Sequence, residues 1–149
     1  MITYKNGNLL DATEDIIAHG CNDKGVMGAG VALAIKNKWP KAYVSYKLFC
    51  DDRENQTGIV HWFSINPLPQ RWIANCIIQQ AFGSGKQVSY DAVDDCMIQI
   101  CNSAVSRNPV ASVAMPKIGA GLGGGNWEVI EAIINHRLAC HVPVVIYCL

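Results

Sequence analysis

Two glycine-rich windows constrain the fold of this chain more than any other feature of its sequence. Of the 13 glycines, three lie in residues 25–30 and five in residues 119–125. Each window follows an apolar segment typical of a buried strand, at 16–21 and 112–116, and precedes a segment with helical periodicity. Glycines between a strand and a helix let backbone amides approach an anion, and the helix dipole favours the negative charge. The pattern predicts an α/β fold with two anion-binding loops.

The remaining segments continue this alternation of strands and helices. We predict strands at 1–5, 16–21, 59–65, 72–79, 112–116 and 143–148. We predict helices at 29–38, 41–50, 89–105 and 126–139, the last two capped by Ser89 and Asn126. Alternation of this kind is typical of a layered α/β fold with a largely parallel sheet. Because no linker or repeat divides the 149 residues, we expect a single domain over 1–149.

Composition excludes several classes of protein. Half of the residues are hydrophobic and 16% are charged, which excludes a disordered chain. The 12 basic residues equal the 12 acidic ones, which argues against a basic nucleic-acid clamp. The seven cysteines form no C-x-x-C pair, so we expect free thiols and no metal site. The first residues contain no long apolar run and the longest apolar stretch is too short for a bilayer, so we expect no signal peptide, a cytoplasmic location and no membrane partner.

The glycine windows do not match the two commonest phosphate-binding motifs. Neither contains G-x-x-x-x-G-K-[ST]. GAGLGG at 119–124 has the letters of G-x-G-x-x-G, but it comes late in the chain, whereas the Rossmann motif belongs near the first strand. Glycine turns without a ligand explain one such window more easily than two in matching contexts. We therefore favour a ligand with two phosphates.

Several segments together resemble a macro domain, the ADP-ribose-binding α/β module. They are ITYKNGNLL at 2–10, IIAHGCNDKGVMGAGVALAIKNKWP at 16–40, MPKIGAGLGGGNWEVI at 115–130 and VIYCL at 145–149. They look closest to the branch with the ADP-ribose-1″-phosphate phosphatases, the terminal ADP-ribose glycohydrolases and the DNA-de-ADP-ribosylating antitoxins. The resemblance implies a three-layer α/β/α fold with a mixed, largely parallel sheet of about six strands, in line with the layered pattern of the sequence.

The resemblance also implies three groups of ligand-binding residues. The first glycine loop would wrap the distal ribose and the pyrophosphate with Gly25, Val26, Met27, Gly28, Ala29 and Gly30. The second would cradle the phosphates with Ile118, Gly119, Ala120, Gly121, Leu122 and Gly123. The adenine end would be formed by Asn8, Leu9, Tyr147 and Leu149, with packing in the core as the structural alternative for Tyr147 and Leu149. Many macro domains have Asp where this chain has Asn8, and an Asn carbonyl oxygen also accepts a hydrogen bond.

Two departures from the family pattern bear on catalysis. The glycohydrolase and antitoxin members have a lysine at the end of the strand that matches 72–79, where this chain has Gln79 and Gln80. The glycohydrolases also have an acidic residue at the position of Gly123. Glutamine forms no Schiff base and glycine is no acid or base, so that mechanism is not expected. Lys86 would reach the site only if its loop folded back.

The phosphatase members are nearer at the first loop. Their H-x-C-N pattern matches the run from His19 to Asn22, and QQAFG at 79–83 resembles their polar-polar-x-F-G segment. His19 would act as acid/base or nucleophile, Asn22 would orient the distal ribose, and Asp23 would orient water. A buried histidine and a turn-forming Asp23 are the structural alternatives. We predict hydrolysis of the phosphate of ADP-ribose 1″-phosphate, with no cofactor and no metal.

Two other functions stay open. The chain would be an ADP-ribosyl hydrolase that acts on modified protein or nucleic acid, or a reader that binds ADP-ribose without catalysis. In each case the partner is an ADP-ribose derivative, and nucleic acid is expected only as an ADP-ribosylated substrate. We expect a monomer.

Overall fold

A six-stranded sheet forms the centre of the computed structural model, which describes residues 1–80 and 87–149. The strands, in chain order, are β1 (Ile2–Asn6), β2 (Ile16–Asn22), β3 (Val60–Pro67), β4 (Gln70–Gln79), β5 (Val113–Met115) and β6 (Val144–Cys148). Their spatial order is β1-β6-β5-β2-β4-β3. Neighbouring strands are parallel except β3 and β4, which are antiparallel. The mixed, largely parallel sheet is confirmed.

The helices agree with the predicted segments. They are α1 (Gly30–Lys38), α2 (Pro40–Asp51), α3 (Tyr90–Val105) and α4 (Trp127–Ile134), the last extended by a wider turn over Asn135–Ala139. The Ser89 hydroxyl accepts from the Ala92 amide at 3.2 Å, and the Asn126 side chain accepts from the Glu128 amide at 2.9 Å. Both predicted caps therefore satisfy amides that the first turn of a helix leaves without partners.

Side chains of the central strands alternate between two hydrophobic clusters, because successive residues of a strand point to opposite faces. On one face Ile16 and Ile78 pack with Ile100 of α3 and Ile130 of α4. On the other face, residues of β2 and β4 pack against α1 and α2, with Ile35, Ala42 and Tyr46 at the helix contacts. The sheet is thus the middle layer of an α/β/α arrangement, as the resemblance implied.

A register shift ends β2. Its pairing with β4 is regular as far as Cys21 and shifts between Cys21 and Asn22. Beyond the shift, the Asn22 side chain reaches the Tyr46 hydroxyl of α2 at 3.1 Å. The irregularity sets the direction in which the chain leaves the sheet and enters the first glycine loop.

The seven cysteines are free thiols, of which five are buried, Cys148 is half-buried and Cys140 is exposed. In the part of the chain that the structure describes, no helix is both long and apolar enough to cross a membrane.

Candidate ligand-binding site

The two glycine loops lie side by side at one edge of the sheet. β2 and β5 are parallel neighbours, and each runs into one of the loops at its carboxyl end. A Cβ atom built on Gly30 would lie 3.4 Å from Cδ1 of Leu122, so the loops meet at these two residues. Carboxyl ends of neighbouring parallel strands are a common place for nucleotide ligands in α/β sheets.

The first loop is shaped by the side chain of Asn22. Its Oδ1 atom accepts from the amides of Lys24 at 2.9 Å and Val26 at 3.3 Å, and its Nδ2 atom donates to the Val26 carbonyl at 2.8 Å. Asn22 is 8% exposed. The geometry shows a residue that holds the loop in its curve, and its predicted contact with the distal ribose stays a prediction.

Helix α2 packs against the first loop and forms a hydrogen bond at its start. The buried Tyr46 hydroxyl donates to the Asn22 carbonyl, and burial raises the pKa of this hydroxyl. Gly25 has a φ of +73°, and a Cβ there would lie 3.4 Å from Cγ of Lys47. Glycine meets both demands, the left-handed backbone and the close approach to α2. Sequence patterns did not identify Tyr46 as part of the site, since it reads as an ordinary apolar position of α2.

Residues of the first loop divide between the core and the solvent. Met27 is buried against α2, with 1% of its surface exposed. Val26, Gly28, Ala29 and Gly30 are exposed. Ala29 precedes α1 without a side-chain cap, so the first amides of that helix lack side-chain acceptors at their end. An anion is the natural partner for such amides.

The second loop closes on itself through backbone hydrogen bonds. The Gly125 amide donates to the Gly119 carbonyl at 2.8 Å, and the Gly124 amide donates to the Gly121 carbonyl at 3.1 Å. A Cβ on Gly123 would lie 2.9 Å from the Gly119 carbonyl oxygen, whereas a Cβ on Gly121 would meet no atom within 4 Å. Gly121 therefore borders open space, and Gly123 has no room for an acidic side chain in this loop conformation.

The remaining predicted residues of this loop have different surroundings. Ile118 is buried in the core with 2% exposure, Leu122 is largely exposed, and Gly119 and Ala120 are half-buried. Gly119 has a φ of +75°, which favours glycine for backbone reasons alone.

Three of the four residues predicted for the adenine end lie near one another. Asn8 accepts from the Leu10 amide at 3.0 Å and begins a short 3-10 turn. Leu9 and Tyr147 share one buried cluster, and the Tyr147 hydroxyl donates to Glu14 Oε1 at 2.6 Å. Burial and Glu14 raise the pKa of Tyr147 to about 12. Leu149 is fully exposed, so its side chain does not form a wall of a closed pocket.

His19 lies inside the sheet and not at its edge. Its Nε2 atom is 2.5 Å from Oδ1 of Asn75, and Nδ2 of Asn75 is 3.1 Å from Nδ1 of His61. The chain of contacts ends at the Ser45 hydroxyl, 3.0 Å from Nε2 of His61. Burial lowers the pKa of His19 to about 4, so the imidazole is neutral at pH 7. Burial and Arg53 also lower the pKa of His61.

Cys21 is no better placed for nucleophilic attack. It is buried beside His19, and burial raises the pKa of the thiol well above its usual value. The thiol form is the poor nucleophile of the two protonation states.

Asp23 is a buried carboxylate at the mouth of the first loop. Its side chain is 3% exposed, Oδ1 has no hydrogen-bond partner, and Nζ of Lys24 lies 3.8 Å away. The Asp23 amide donates to the Gln79 carbonyl at 3.0 Å, which places Asp23 beside the end of β4. Lys86 and the part of QQAFG beyond Gln80 lie outside the described residues. Within residues 1–80 and 87–149, no three His, Cys, Asp or Glu side chains are grouped for a metal ion.

Comparisons with known proteins lead to one family. The family model "Macro domain" matches residues 18–134. A DNA ADP-ribosyl glycohydrolase of Thermus aquaticus is 30% identical over 93% of this chain and 38% of its own length. An ADP-ribose 1″-phosphate phosphatase of Meyerozyma guilliermondii is 27% identical over 97% of this chain and 98% of its own length. The solved macrodomain of Thermus aquaticus DarG superposes with a TM-score of 0.85 at 28% identity, covering 100% of this chain and 99% of that one.

The fold and the paired loops define an α/β/α module of the kind that holds nucleotide phosphates at a sheet edge. The chain belongs to the macro domain family. Its relatives include ADP-ribose hydrolases of two kinds by name, and it spans well under half the length of the DNA ADP-ribosyl glycohydrolases.

Proposed function

We propose that this chain binds ADP-ribose between its two glycine loops and hydrolyses the phosphate of ADP-ribose 1″-phosphate to give ADP-ribose. The observation that carries the binding is the juxtaposition of the loops at Gly30 and Leu122, beside the open space at Gly121. The pyrophosphate lies over the second loop and the first amides of α1, where backbone donors and the helix dipole favour an anion. The adenine lies towards Asn8.

The groups at the end of β4 favour phosphate hydrolysis over the lysine-dependent reaction of related glycohydrolases. Gln79 stands at the end of that strand, and Gly123 is packed against the Gly119 carbonyl. Neither position supplies the lysine or the acid that the resemblance associates with those enzymes. A phosphate monoester instead needs a water molecule, a group to take its proton, and donors for the charge on phosphorus oxygens.

In the proposed reaction, Asp23 accepts a proton from the attacking water. The water oxygen bonds to phosphorus and the bond between phosphorus and O1″ breaks. O1″ takes up a proton from solvent to become the hydroxyl of ADP-ribose, and Asp23 returns its proton to solvent. The loop amides stabilise the charge that develops on the phosphoryl oxygens. Oδ1 of Asp23 has no hydrogen-bond partner and can take up the proton, and because the side chain is only 3% exposed, this role requires it to turn from its buried position towards the loop.

The structure restricts the part that His19 plays in this proposal. Its ring is enclosed, neutral and hydrogen-bonded to Asn75, so a direct part as acid/base or nucleophile requires the ring to leave its site. A part as a positioning residue requires no movement, because His19 lies on β2 three residues before Asn22. We therefore propose that His19 supports the end of β2 and does not touch the phosphate.

A second candidate is hydrolysis of ADP-ribose from a modified macromolecule. It is favoured by the 30% identity to the DNA ADP-ribosyl glycohydrolase over 93% of this chain. The two functions share the ADP-ribose site and differ in the bond that breaks at C1″ of the distal ribose.

One set of measurements distinguishes these functions. Calorimetry with ADP-ribose tests the site, and absence of binding contradicts both candidates. Release of inorganic phosphate from ADP-ribose 1″-phosphate supports the phosphatase, whereas release of ADP-ribose only from modified DNA or protein supports the second candidate. Binding without turnover of any of these substrates identifies a reader.

Two variants then test the residues. We expect Asp23→Asn to lower kcat by about 100-fold or more, since general base catalysis typically contributes 10²–10⁴-fold. We expect His19→Asn to keep kcat within about tenfold, which is the order of a 1.4 kcal/mol change in barrier. A loss of kcat in His19→Asn as large as that in Asp23→Asn, with ADP-ribose binding intact, would show that His19 takes part directly.

A further inference from the structure

Zero net charge conceals a separation of charge between the two helical layers. Residues 24–50, which span the first loop, α1 and most of α2, contain five lysines and no acidic residue. On the opposite layer, α3, α4 and the turn that extends α4 carry five acidic residues and one arginine, Arg137, which pairs with Asp94 at 2.7 Å. The acidic residues are Asp91, Asp94, Asp95, Glu128 and Glu131. A folded chain with this distribution presents a basic face and an acidic face, and only the basic face attracts a polyanion.

The lysines on the basic face differ in whether a nearby carboxylate compensates their charge. Lys47 lies 3.1 Å from Asp51 Oδ2, and Lys24 lies 3.8 Å from Asp23 Oδ1. Lys36, Lys38 and Lys41 make no ion pair in the described part of the chain. The uncompensated charge is therefore concentrated where α1 ends and α2 begins, at a surface that we call the α1–α2 corner (residues 36–43).

Aromatic rings hold two of these lysines in place. Nζ of Lys36 lies 4.3 Å from the centre of the Tyr43 ring, and Nζ of Lys38 lies 4.9 Å from the centre of the Trp39 ring. Lys38 also donates to the Leu10 carbonyl at 2.7 Å. In the free protein these contacts keep both ammonium groups at the corner, next to the rings.

We propose that the α1–α2 corner binds the sugar-phosphate backbone of a single-stranded nucleic acid without sequence preference. Three lysines without ion pairs match the regular charges of a strand. When Lys36 and Lys38 turn from the rings to the phosphates, the half-buried rings of Tyr43 and Trp39 become free for bases to stack on. An acidic peptide has no planar base for these rings. An anionic membrane needs a wide apolar face, whereas the exposed side of α2 intersperses its two large apolar residues, Val44 and Leu48, with Lys41 and Lys47.

This surface is separate from the glycine loops, so the proposal does not depend on the proposed hydrolase activity. The lysines of the corner lie at the end of α1 and the start of α2, whereas the loops lie at the start of α1. At Lys38 and Trp39 the corner adjoins Leu9 and Leu10 beside the proposed adenine end, so binding of an unmodified strand tests the corner alone when it persists at saturating ADP-ribose.

The test measures binding of a labelled, unmodified single-stranded oligonucleotide by fluorescence anisotropy at several salt concentrations. With about three phosphate contacts, we expect log Kd to rise with log salt with a slope of about 2, since each contact on a single strand contributes about 0.7. The double variant Lys36→Gln, Lys41→Gln removes two contacts, so its slope falls by about 1.4 and its Kd at low salt rises about tenfold or more.

A control variant separates local contacts from net charge. Asn102→Asp with Asn135→Asp changes the net charge by the same amount but places it on the exposed side of the acidic layer. We expect this control to bind the oligonucleotide within about twofold of the wild type, because charges more than a Debye length of about 10 Å away are largely screened. Thermal unfolding and ADP-ribose calorimetry show whether each variant keeps its fold.

The proposal is overturned if the wild type shows no salt-dependent binding, or if the two variants bind the oligonucleotide equally well. It is also overturned if vesicles containing phosphatidylserine, or a polyglutamate peptide, bind with at least the same affinity and the same dependence on Lys36 and Lys41. Selective loss of oligonucleotide binding in the lysine variant supports it.

Discussion

The Nε2 atom of His19 lies 2.5 Å from Oδ1 of Asn75, and neither side chain has any exposed surface. Because the Asn oxygen only accepts, the ring nitrogen is the donor. Asn75 in turn donates through Nδ2 to Nδ1 of His61. The direction of these hydrogen bonds gives each histidine one protonated nitrogen, so a second proton on either ring has no acceptor along this chain of contacts.

The buried His19 predicts a loss of stability in mild acid. Its pKa falls from 6.5 in the unfolded chain to about 4 in the folded protein, so between these values the unfolded state binds more protons. The contribution is fully present above pH 6.5 and is lost as the pH falls towards 4. We expect the free energy of unfolding to drop by about 2 kcal/mol between pH 7.5 and pH 5, measured by urea denaturation.

Other ionisable groups also contribute to the dependence of stability on pH. The contribution of His19 is therefore measured by comparing the wild type with a variant that lacks the ring. His19→Asn lacks the titrating ring, and its stability should depend less on pH by that same amount. Equal pH dependence in the two proteins would mean that His19 is protonated in the folded state as readily as in the unfolded one.

We expect a substitution at Gly121 to affect ADP-ribose binding and a substitution at Gly123 to affect stability. A side chain at Gly121 enters open space, so Gly121→Val should leave the melting temperature nearly unchanged. In the proposed complex it meets the phosphates, and we expect the Kd for ADP-ribose to rise about 100-fold or more, the effect of nearly 3 kcal/mol. Calorimetry and thermal unfolding measure the two quantities.

Gly123→Ala is the matched substitution two residues away. Its Cβ would lie 2.9 Å from the Gly119 carbonyl oxygen, so the loop must shift and the protein should lose about 1–3 kcal/mol of stability, as for other overpacked sites. The contradicting outcome for Gly121→Val is a well-folded protein with normal affinity for ADP-ribose. It would show that the phosphates of the ligand do not lie against Gly121.

The fold was predictable because its signals are local. Glycine windows, apolar strands and the caps Ser89 and Asn126 each act over a few residues, and all of these predictions agree with the structure. The antiparallel pairing of β3 with β4 also has a local cause. Only Leu68 and Pro69 separate the two strands, which suits a hairpin, whereas a parallel connection needs about a dozen residues or more.

The candidate site was predictable as a place but not as a set of contacts. The two loops follow from the glycine windows. The partners of His19 come from β4, β3 and α2, and only the isolated polar residue Asn75 within the apolar run IANCII hinted at them. The tight approach of Gly123 to the Gly119 carbonyl is a property of the folded loop and leaves no trace in sequence spacing.

Tyr46 links the core to the ligand site, so we expect its substitution to lower both the stability of the protein and its affinity for ADP-ribose. Tyr46→Phe removes a buried hydroxyl that donates to the Asn22 carbonyl and leaves that carbonyl without this donor. We expect a loss of about 1–2 kcal/mol in the free energy of unfolding. Because Asn22 holds the first loop, the Kd for ADP-ribose should also rise, by about tenfold for each 1.4 kcal/mol lost in the bound conformation.

Tyr43→Phe is the control on the same helix, since Tyr43 packs beneath Lys36 at the surface. It should leave ADP-ribose binding unchanged. If Tyr46→Phe lowers stability but leaves the Kd of ADP-ribose at the wild-type value, the hydroxyl serves the core alone and does not position the loop.

We expect substitution of Asp23 to raise the stability of the protein and to lower its activity. Oδ1 of this buried carboxylate has no hydrogen-bond partner, and the exposed Lys24 at 3.8 Å compensates little of its charge. Asp23→Asn keeps the shape and removes the charge, so the free protein should become more stable by about 1 kcal/mol, the lower range for an unsatisfied buried group. The same variant should lose phosphatase turnover. Asp52→Asn, at an exposed carboxylate, should change neither quantity. A destabilised Asp23→Asn protein with full turnover would show that the carboxylate is structural and that another group activates the water.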